Sequence, residues 1–255
     1  MQPDRSTPVS LTIAGSDSGG GAGIQADLRT FAALGVFGTS AITCLTAQNP
    51  DSVTDVMPCD PAFLREQMLQ IGRFFSLGAV KTGMLFSAEL IREVAAFLRD
   101  RPNLPAVVDP VMVATSGAVL LKPDAIEVLR EELLPLARVV TPNLDEAAIL
   151  LDRSVERKEE MIEAAKEMST SLGCAVLLKG GHLRGDEVRD VLAAKDGTVE
   201  VFDSNRINKV VVSRTICHGA YFIQAAFRPI RIRPRTQKNL KILIPCQTRS
   251  LSILH

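Results

Sequence analysis

The 255-residue chain has no tryptophan, one tyrosine and no acidic residue after Asp203. It has no run of 18 or more apolar residues, which excludes an apolar membrane-spanning helix. The opening "MQPDRSTPVS" lacks an apolar region and carries Asp4 and Arg5, so it is expected to be a short disordered arm rather than a targeting peptide. The five cysteines are scattered, with no C-x-x-C and no zinc-type Cys/His spacing. That pattern fits a reduced, cytoplasmic setting. What is present is ample apolar material: 46% of the residues are hydrophobic, enough to bury a core in one large α/β domain or two small ones. The formal net charge of zero hides an asymmetry. All 29 acidic residues lie at or before Asp203, while lysine and arginine run on to Arg249.

Short apolar runs recur from residue 9 to about 180: "VSLTIAG", "SAITCL", "LGAVKTG", "PAVVDPV", "ARVVTP" and "CAVLLKG". They are too short for separate helices and lack polar alternation, as expected of parallel strands buried on both faces. Between them lie segments of helical period. "AGIQADLRTFAALG" sets Ile24, Leu28 and Phe31 on one face and stops at Gly35. "DPAFLREQMLQIGRFF" offers Asp60 as N-cap and Pro61 as first helical residue. "SAELIREVAAFLRD", "KPDAIEVLREELLP" and "ERKEEMIEAAKEMSTSLG" follow the same logic. The alternation predicts a doubly wound sheet with helices on both faces. "VRDVLAAKDGTVEVFD" differs and predicts an edge hairpin turning at Asp196-Gly197.

A polar residue follows or closes each apolar run: Asp17, Gln48, Lys81, Asp109, Asn143 and Lys179. In an open parallel sheet the ligand crevice lies at the carboxyl ends of the strands. One such residue alone is a turn residue. Six of them predict a site along one rim of the sheet. The stretch "GSDSGGGAGIQAD" sits at the first of these ends. It is no P-loop, because no G-K-[ST] follows, and it is not G-x-G-x-x-G, because Ile24 stands where the last glycine belongs. Asp17 and Asp27 would repel phosphate here, and bare backbone lets a small, flat ligand approach closely, so the loop is assigned to a neutral or basic substrate.

"LTIAGSDSGGGAGIQADLRTFAALG", "TAQN", "VKTGML", "VVDPVM", "TPNLDEA" and "LLKGGH" occur in this order between about Leu11 and Gly219. Together they resemble the hydroxymethylpyrimidine/phosphomethylpyrimidine kinases of thiamine biosynthesis. The resemblance implies a ribokinase-like three-layer α/β/α sandwich with a mostly parallel central sheet. It implies ATP and Mg2+ as cofactors, a small-molecule pyrimidine substrate, neither membrane nor nucleic acid as partner, and a homodimer. Its pyrimidine pocket would use Gly15, Ala22, Asp27, Gln48, Met84 and Val111. Its nucleotide side would use Asn143, Glu146 and Lys179, with Glu146 near the metal and Asp109 as a second metal candidate. No catalytic side chain is assigned. A pyridoxal or pyridoxine kinase of the same superfamily is the alternative, because its substrate is also a flat ring with a hydroxymethyl arm. Gln48, which can donate to and accept from a pyrimidine edge, favours the pyrimidine.

The chain departs from the family near its end. The family carries "HG[TS]GCT", a glycine-rich turn whose amides stabilise the transferred phosphoryl group. Here "ICHGAYFIQAAFRP" keeps His218 and Gly219 but sets Ala220, Tyr221 and Phe222 where Thr or Ser, Gly and Cys belong. Domain boundaries are therefore expected at 1–219, a kinase domain, and 220–255, a diverged, basic and poorly folded segment from a shifted reading frame or a replacement. A genuine basic domain that binds phosphate or nucleic acid is the other explanation. Loss of the anion hole predicts impaired turnover, or a non-catalytic ligand-binding pseudokinase.

Overall fold

In the computed structural model the described residues are 7–112, 121, 123–181 and 187–205. The first strand, β1 (Val9–Asp17), runs into the glycine stretch and then α1 (Gly23–Ala33). Next come β2 (Phe37–Gln48), β3 (Val53–Pro58), α2 (Pro61–Phe74), β4 (Leu77–Thr82) and α3 (Ala88–Arg99). After β5 (Ala106–Val108) stands α4 (Pro123–Val128), and after it β6 (Val139–Val140), α5 (Leu144–Leu151) and α6 (Glu160–Leu172). The last described elements are β7 (Ala175–Lys179), β8 (Glu187–Ala193) and β9 (Val199–Asn205).

The nine strands form one sheet in the order β3-β2-β1-β4-β5-β6-β7-β8-β9. The six central strands pair in parallel, and β3, β8 and β9 add antiparallel edges. The period of two along each strand separates two apolar layers. Leu11, Ile13, Val80, Val108, Val140, Val176 and Leu178 face Leu64, Met68, Ile91, Val94, Ala164 and Met168, from α2, α3 and α6. Burying each large side chain of this set is worth about 1.5–3 kcal/mol. On the opposite face Ala79 and Val107 pack under Phe31 of α1, and Val139, Leu177 and Leu192 form a second patch. Among the described helices α1 alone covers this face.

Local chemistry sets the boundaries. The Asp60 side chain accepts from the Phe63 amide at 3.1 Å, with Pro61 opening α2. Gly173 ends α6 at φ 68°, the left-handed conformation that favours glycine. The predicted hairpin is present, with Gly197 at φ 84° in its turn.

Three details differ from expectation. Strand β3 is missing from the sequence reading because "VTDVMP" is an exposed edge strand without an apolar run. "ARVVTP" contributes only a two-residue strand. The single helix expected over "KPDAIEVLREELLP" is a short α-helix that loosens into a π turn (Leu129–Leu133) and a 3-10 turn (Leu134–Leu136). Pro135, which has no amide to donate and crowds the preceding turn, sits in that last turn.

Candidate active site

The glycine stretch is held by its own carboxylate. One oxygen of Asp17 accepts from the Gly19 amide at 2.8 Å and the other from the Ala22 amide at 2.7 Å. Gln25 on α1 accepts from the Asp17 amide at 2.9 Å and donates to Ser16 at 2.7 Å. Ser18 ties the loop to β2, donating to the Gln48 carbonyl at 2.7 Å and accepting from the Gln48 amide at 2.8 Å. Gly15 lies at a register break in β1, and a Cβ there would stand 2.9 Å from the sulfur of Cys44. Gly23 opens α1 at φ +58°, and a Cβ there would stand 2.2 Å from the Gly15 carbonyl oxygen. Only glycine allows that approach.

Asp27 does not meet the crevice as an open acceptor. It is 1% exposed, and both its oxygens lie 2.8–2.9 Å from the ammonium of Lys81. Thr12 donates to the same carboxylate at 2.7 Å. Thr12 and Lys81 are register partners on β1 and β4, so Asp27 on α1 clamps two adjacent strands. These three bonds occupy most of its accepting capacity and leave room for about one further donor, such as the expected substrate hydroxyl or amino group. Asp17 likewise serves the loop's own amides, which explains carboxylates beside bare backbone without a basic ligand.

The second half lies around Asp109, just past β5. Lys179, at the end of β7, donates to Asp109 Oδ1 at 2.9 Å, and Thr141 donates to the same oxygen at 3.1 Å. Burial pushes Asp109 up, but Lys179, Lys81 and these two bonds outweigh it, leaving the group below the usual carboxylate range. For Lys179, burial favours the neutral amine, yet Asp109 and Glu146 hold it above the usual lysine value. Glu146 and Asn143 form a capping box at the start of α5. The Glu146 amide donates to Asn143 at 2.8 Å, and the Asn143 amide donates to Glu146 at 2.7 Å. Burial and the charge of Asp109 raise Glu146 to about 8.

Lys81, Asp109 and Lys179 all belong to the sheet face that carries α1. The result is a series of charges of alternating sign: Asp27 from α1, then Lys81, Asp109 and Lys179 from the strand ends, with Glu146 near enough for Asp109 and Lys179 to act on its charge. Two buried carboxylates that repel each other, next to a lysine, fit a divalent cation held through one or two carboxylates and phosphate oxygens. The other expected residues lie at the same end. Gln48 closes β2, and its side-chain oxygen accepts from Thr46 at 3.2 Å. Met84 and Val111 are half-buried in the segments after β4 and β5. The Met84 carbonyl accepts from Thr43 at 2.7 Å, and the Val111 amide donates to the Asp109 carbonyl at 2.9 Å. Thr12, Ser18, Gln25, Thr141 and Asp190 were not anticipated. Each is a second partner of an anticipated residue, and nothing in the one-dimensional pattern pairs them. His182 and residues 218–222, with the remainder of 220–255, lie outside the described residues.

A family model described as phosphomethylpyrimidine kinase matches residues 17–227. The chain belongs to the phosphomethylpyrimidine kinase family. It is 51% identical over 196 residues to a hydroxymethylpyrimidine/phosphomethylpyrimidine kinase of Rhizobium meliloti, covering 76% of this chain and 73% of that one. A thiamine biosynthesis bifunctional protein of Geobacter sulfurreducens is 48% identical over 182 residues, and there the match spans 71% of this chain and 37% of the longer relative. Among solved structures, a phosphomethylpyrimidine kinase from Clostridium difficile superposes with a TM-score of 0.74 at 37% identity, covering 87% of this chain and 95% of that one. A Bacillus subtilis pyridoxal kinase, solved as an ADP complex, gives 0.77 at 36% identity, covering 87% and 88%. As a member of the phosphomethylpyrimidine kinase family the chain has the ribokinase-like α/β fold. Among the described residues no helix is long and apolar enough to cross a membrane.

Proposed function

We propose that this chain uses Mg-ATP to phosphorylate 4-amino-5-hydroxymethyl-2-methylpyrimidine and then its monophosphate, in thiamine biosynthesis. The observation that carries it is the set of buried charges Lys81, Asp109 and Lys179 at the strand ends, on the sheet face of α1, together with a glycine loop before α1 whose amides are held by Asp17. Phosphoryl transfer needs positioning and charge neutralisation more than a strong nucleophile. In this reading Lys179 leaves part of its hold on Asp109 to meet the phosphates of ATP. Glu146 and Asp109 are the residues that would hold a magnesium ion, whose chemistry would be to neutralise phosphate oxygens. Asn143 caps α5 and keeps Glu146 in place. The ring is received by Gly15, Ala22 and Gln48, with Met84 and Val111 against its faces. Asp27, bonded to Lys81, keeps room for about one substrate hydroxyl or amino donor.

Phosphorylation of pyridoxal is the second reading, favoured by the TM-score of 0.77 to the Bacillus subtilis pyridoxal kinase. An ATP-consumption assay with both substrates separates the two: turnover of pyridoxal without turnover of the pyrimidine rejects the first. Ala220, Tyr221 and Phe222 bear on rate. An anion hole missing at that turn slows kcat by about 10²–10³, the equivalent of about 3–4 kcal/mol. Pyrimidine binding with that slow turnover is the expected result, and no binding to the folded protein refutes the pocket. The assembly expected is a homodimer in the cytoplasm, and sedimentation at micromolar concentration tests the dimer.

A further inference from the structure

We infer that Asp190, on the antiparallel strand β8, is a positioning residue for the phosphate-binding lysine and the Gly180-Gly181 turn behind it. The inference rests on the kinase reading above. Asp190 is the register partner of Lys179 across the β7–β8 pair. The two side chains share the sheet face of Leu177 and Leu192, where directly opposed residues stand close enough to interact. Asp190 is 9% exposed, and its Oδ1 accepts from the Gly180 amide at 3.0 Å.

Strand pairing alone does not require this carboxylate, because the β7–β8 ladder is made by backbone groups. An ionised side chain buried at a strand position costs several kcal/mol of desolvation unless it is bonded. Here it is bonded to the first amide past the lysine. The turn itself is tightly seated: a Cβ on Gly180 would stand 2.1 Å from the Arg189 carbonyl oxygen and 2.9 Å from Met161. Backbone closeness on one side and the Asp190 bond on the other leave the Lys179 main chain one position. Lys179 then reaches Asp109 when the site is empty and a phosphate oxygen when it is filled, without moving its backbone. The role of Asp190 is fixed geometry, and an Asn, which keeps the acceptor and loses the charge, should retain most of it.

The test compares Asp190→Ala and Asp190→Asn in the full chain. Binding of a non-hydrolysable ATP analogue is measured by calorimetry, and exchange of the Gly180 amide by NMR. Asp190→Ala is expected to weaken analogue binding at least tenfold and to speed Gly180 exchange, with pyrimidine binding within twofold of wild type. Asp190→Asn is expected within threefold of wild type in both. Wild-type analogue affinity in Asp190→Ala overturns the inference, and so does an Asn variant as weak as the Ala variant. Pyrimidine binding lost in parallel with analogue binding marks general unfolding and also overturns it. Absence of analogue binding by the wild-type chain rejects the kinase reading itself, a different result from wild-type binding that Asp190→Ala leaves intact.

Discussion

Replacing Asp27 by alanine removes the acceptor of two buried donors at once. The Lys81 and Asp27 side chains are 7% and 1% exposed, so bulk water neither screens the pair nor rescues the half left behind. Breaking a buried ion pair by deleting one partner costs about 3–5 kcal/mol, because the remaining charge is stranded. The Thr12 hydroxyl, bonded to the same carboxylate, loses its acceptor within that cost. For a chain of this size each kcal/mol moves the melting point by about 2–4 °C, so the fall is roughly 6–20 °C. Removing both charges, as Asp27→Leu with Lys81→Met, takes away the stranded group and should come within about 1–2 kcal/mol of wild type, since replacing a buried pair by apolar groups is close to neutral. The assay is urea unfolding followed by circular dichroism, with both single variants and the double. A positive coupling of at least about 2 kcal/mol is expected. A single Asp27→Ala loss below about 1 kcal/mol, or a double variant as weak as the sum of the singles, refutes the clamp.

Three other outcomes follow from the geometry. Glu146 sits at about 8 in the fold against an ordinary value of 4.5, so the folded chain holds that proton more tightly than the unfolded one and loses stability as pH rises from about 4.5 to 8. Glu146→Gln, which keeps the capping box, should match wild type in the melting point at pH 4.5 and exceed it at pH 8.5 in metal-free buffer; no gain at pH 8.5 refutes it. Gly23→Ala meets the Gly15 carbonyl oxygen at 2.2 Å and should disrupt the loop or the fold. Gly35→Ala, at φ +72° with nothing within 4 Å, should cost only about 1–2 kcal/mol by thermal melting. Lys179→Met should lower kcat/KM for ATP by at least about 100-fold in a coupled assay, while pyrimidine binding by calorimetry holds within about threefold.

The central sheet was legible because each of its six parallel strands overlaps an apolar run, with segments of helical period between them. The exposed strand β3 was not, because an edge strand needs no apolar face. The ends of the strands identified Lys81, Asp109, Asn143 and Lys179 as members of one rim. Their partnerships were hidden: Asp27 and Lys81 are 54 residues apart, and Lys179 and Asp109 are 70 apart. Carboxylates in a glycine loop read as ligand groups in one dimension. In three dimensions Asp17 is committed to amides and Asp27 to an ammonium, a choice decided by whichever donor the fold brings nearest. Asp190 lay inside a segment read only as a hairpin, where its alternation with apolar neighbours gave no sign of its bond to Gly180.

The parity of the strands has a consequence for how this molecule tolerates change. Lys81, Asp109 and Lys179 each follow a residue, Val80, Val108 and Leu178, that points into the apolar layer beneath α2, α3 and α6. A one-residue insertion or deletion within β4 or β7 would turn an ammonium away from its acid and drive it among leucines and valines. Length variation is therefore expected at the hairpin turn around Gly197 and shunned inside the inner strands, whatever the chemistry of the inserted residue.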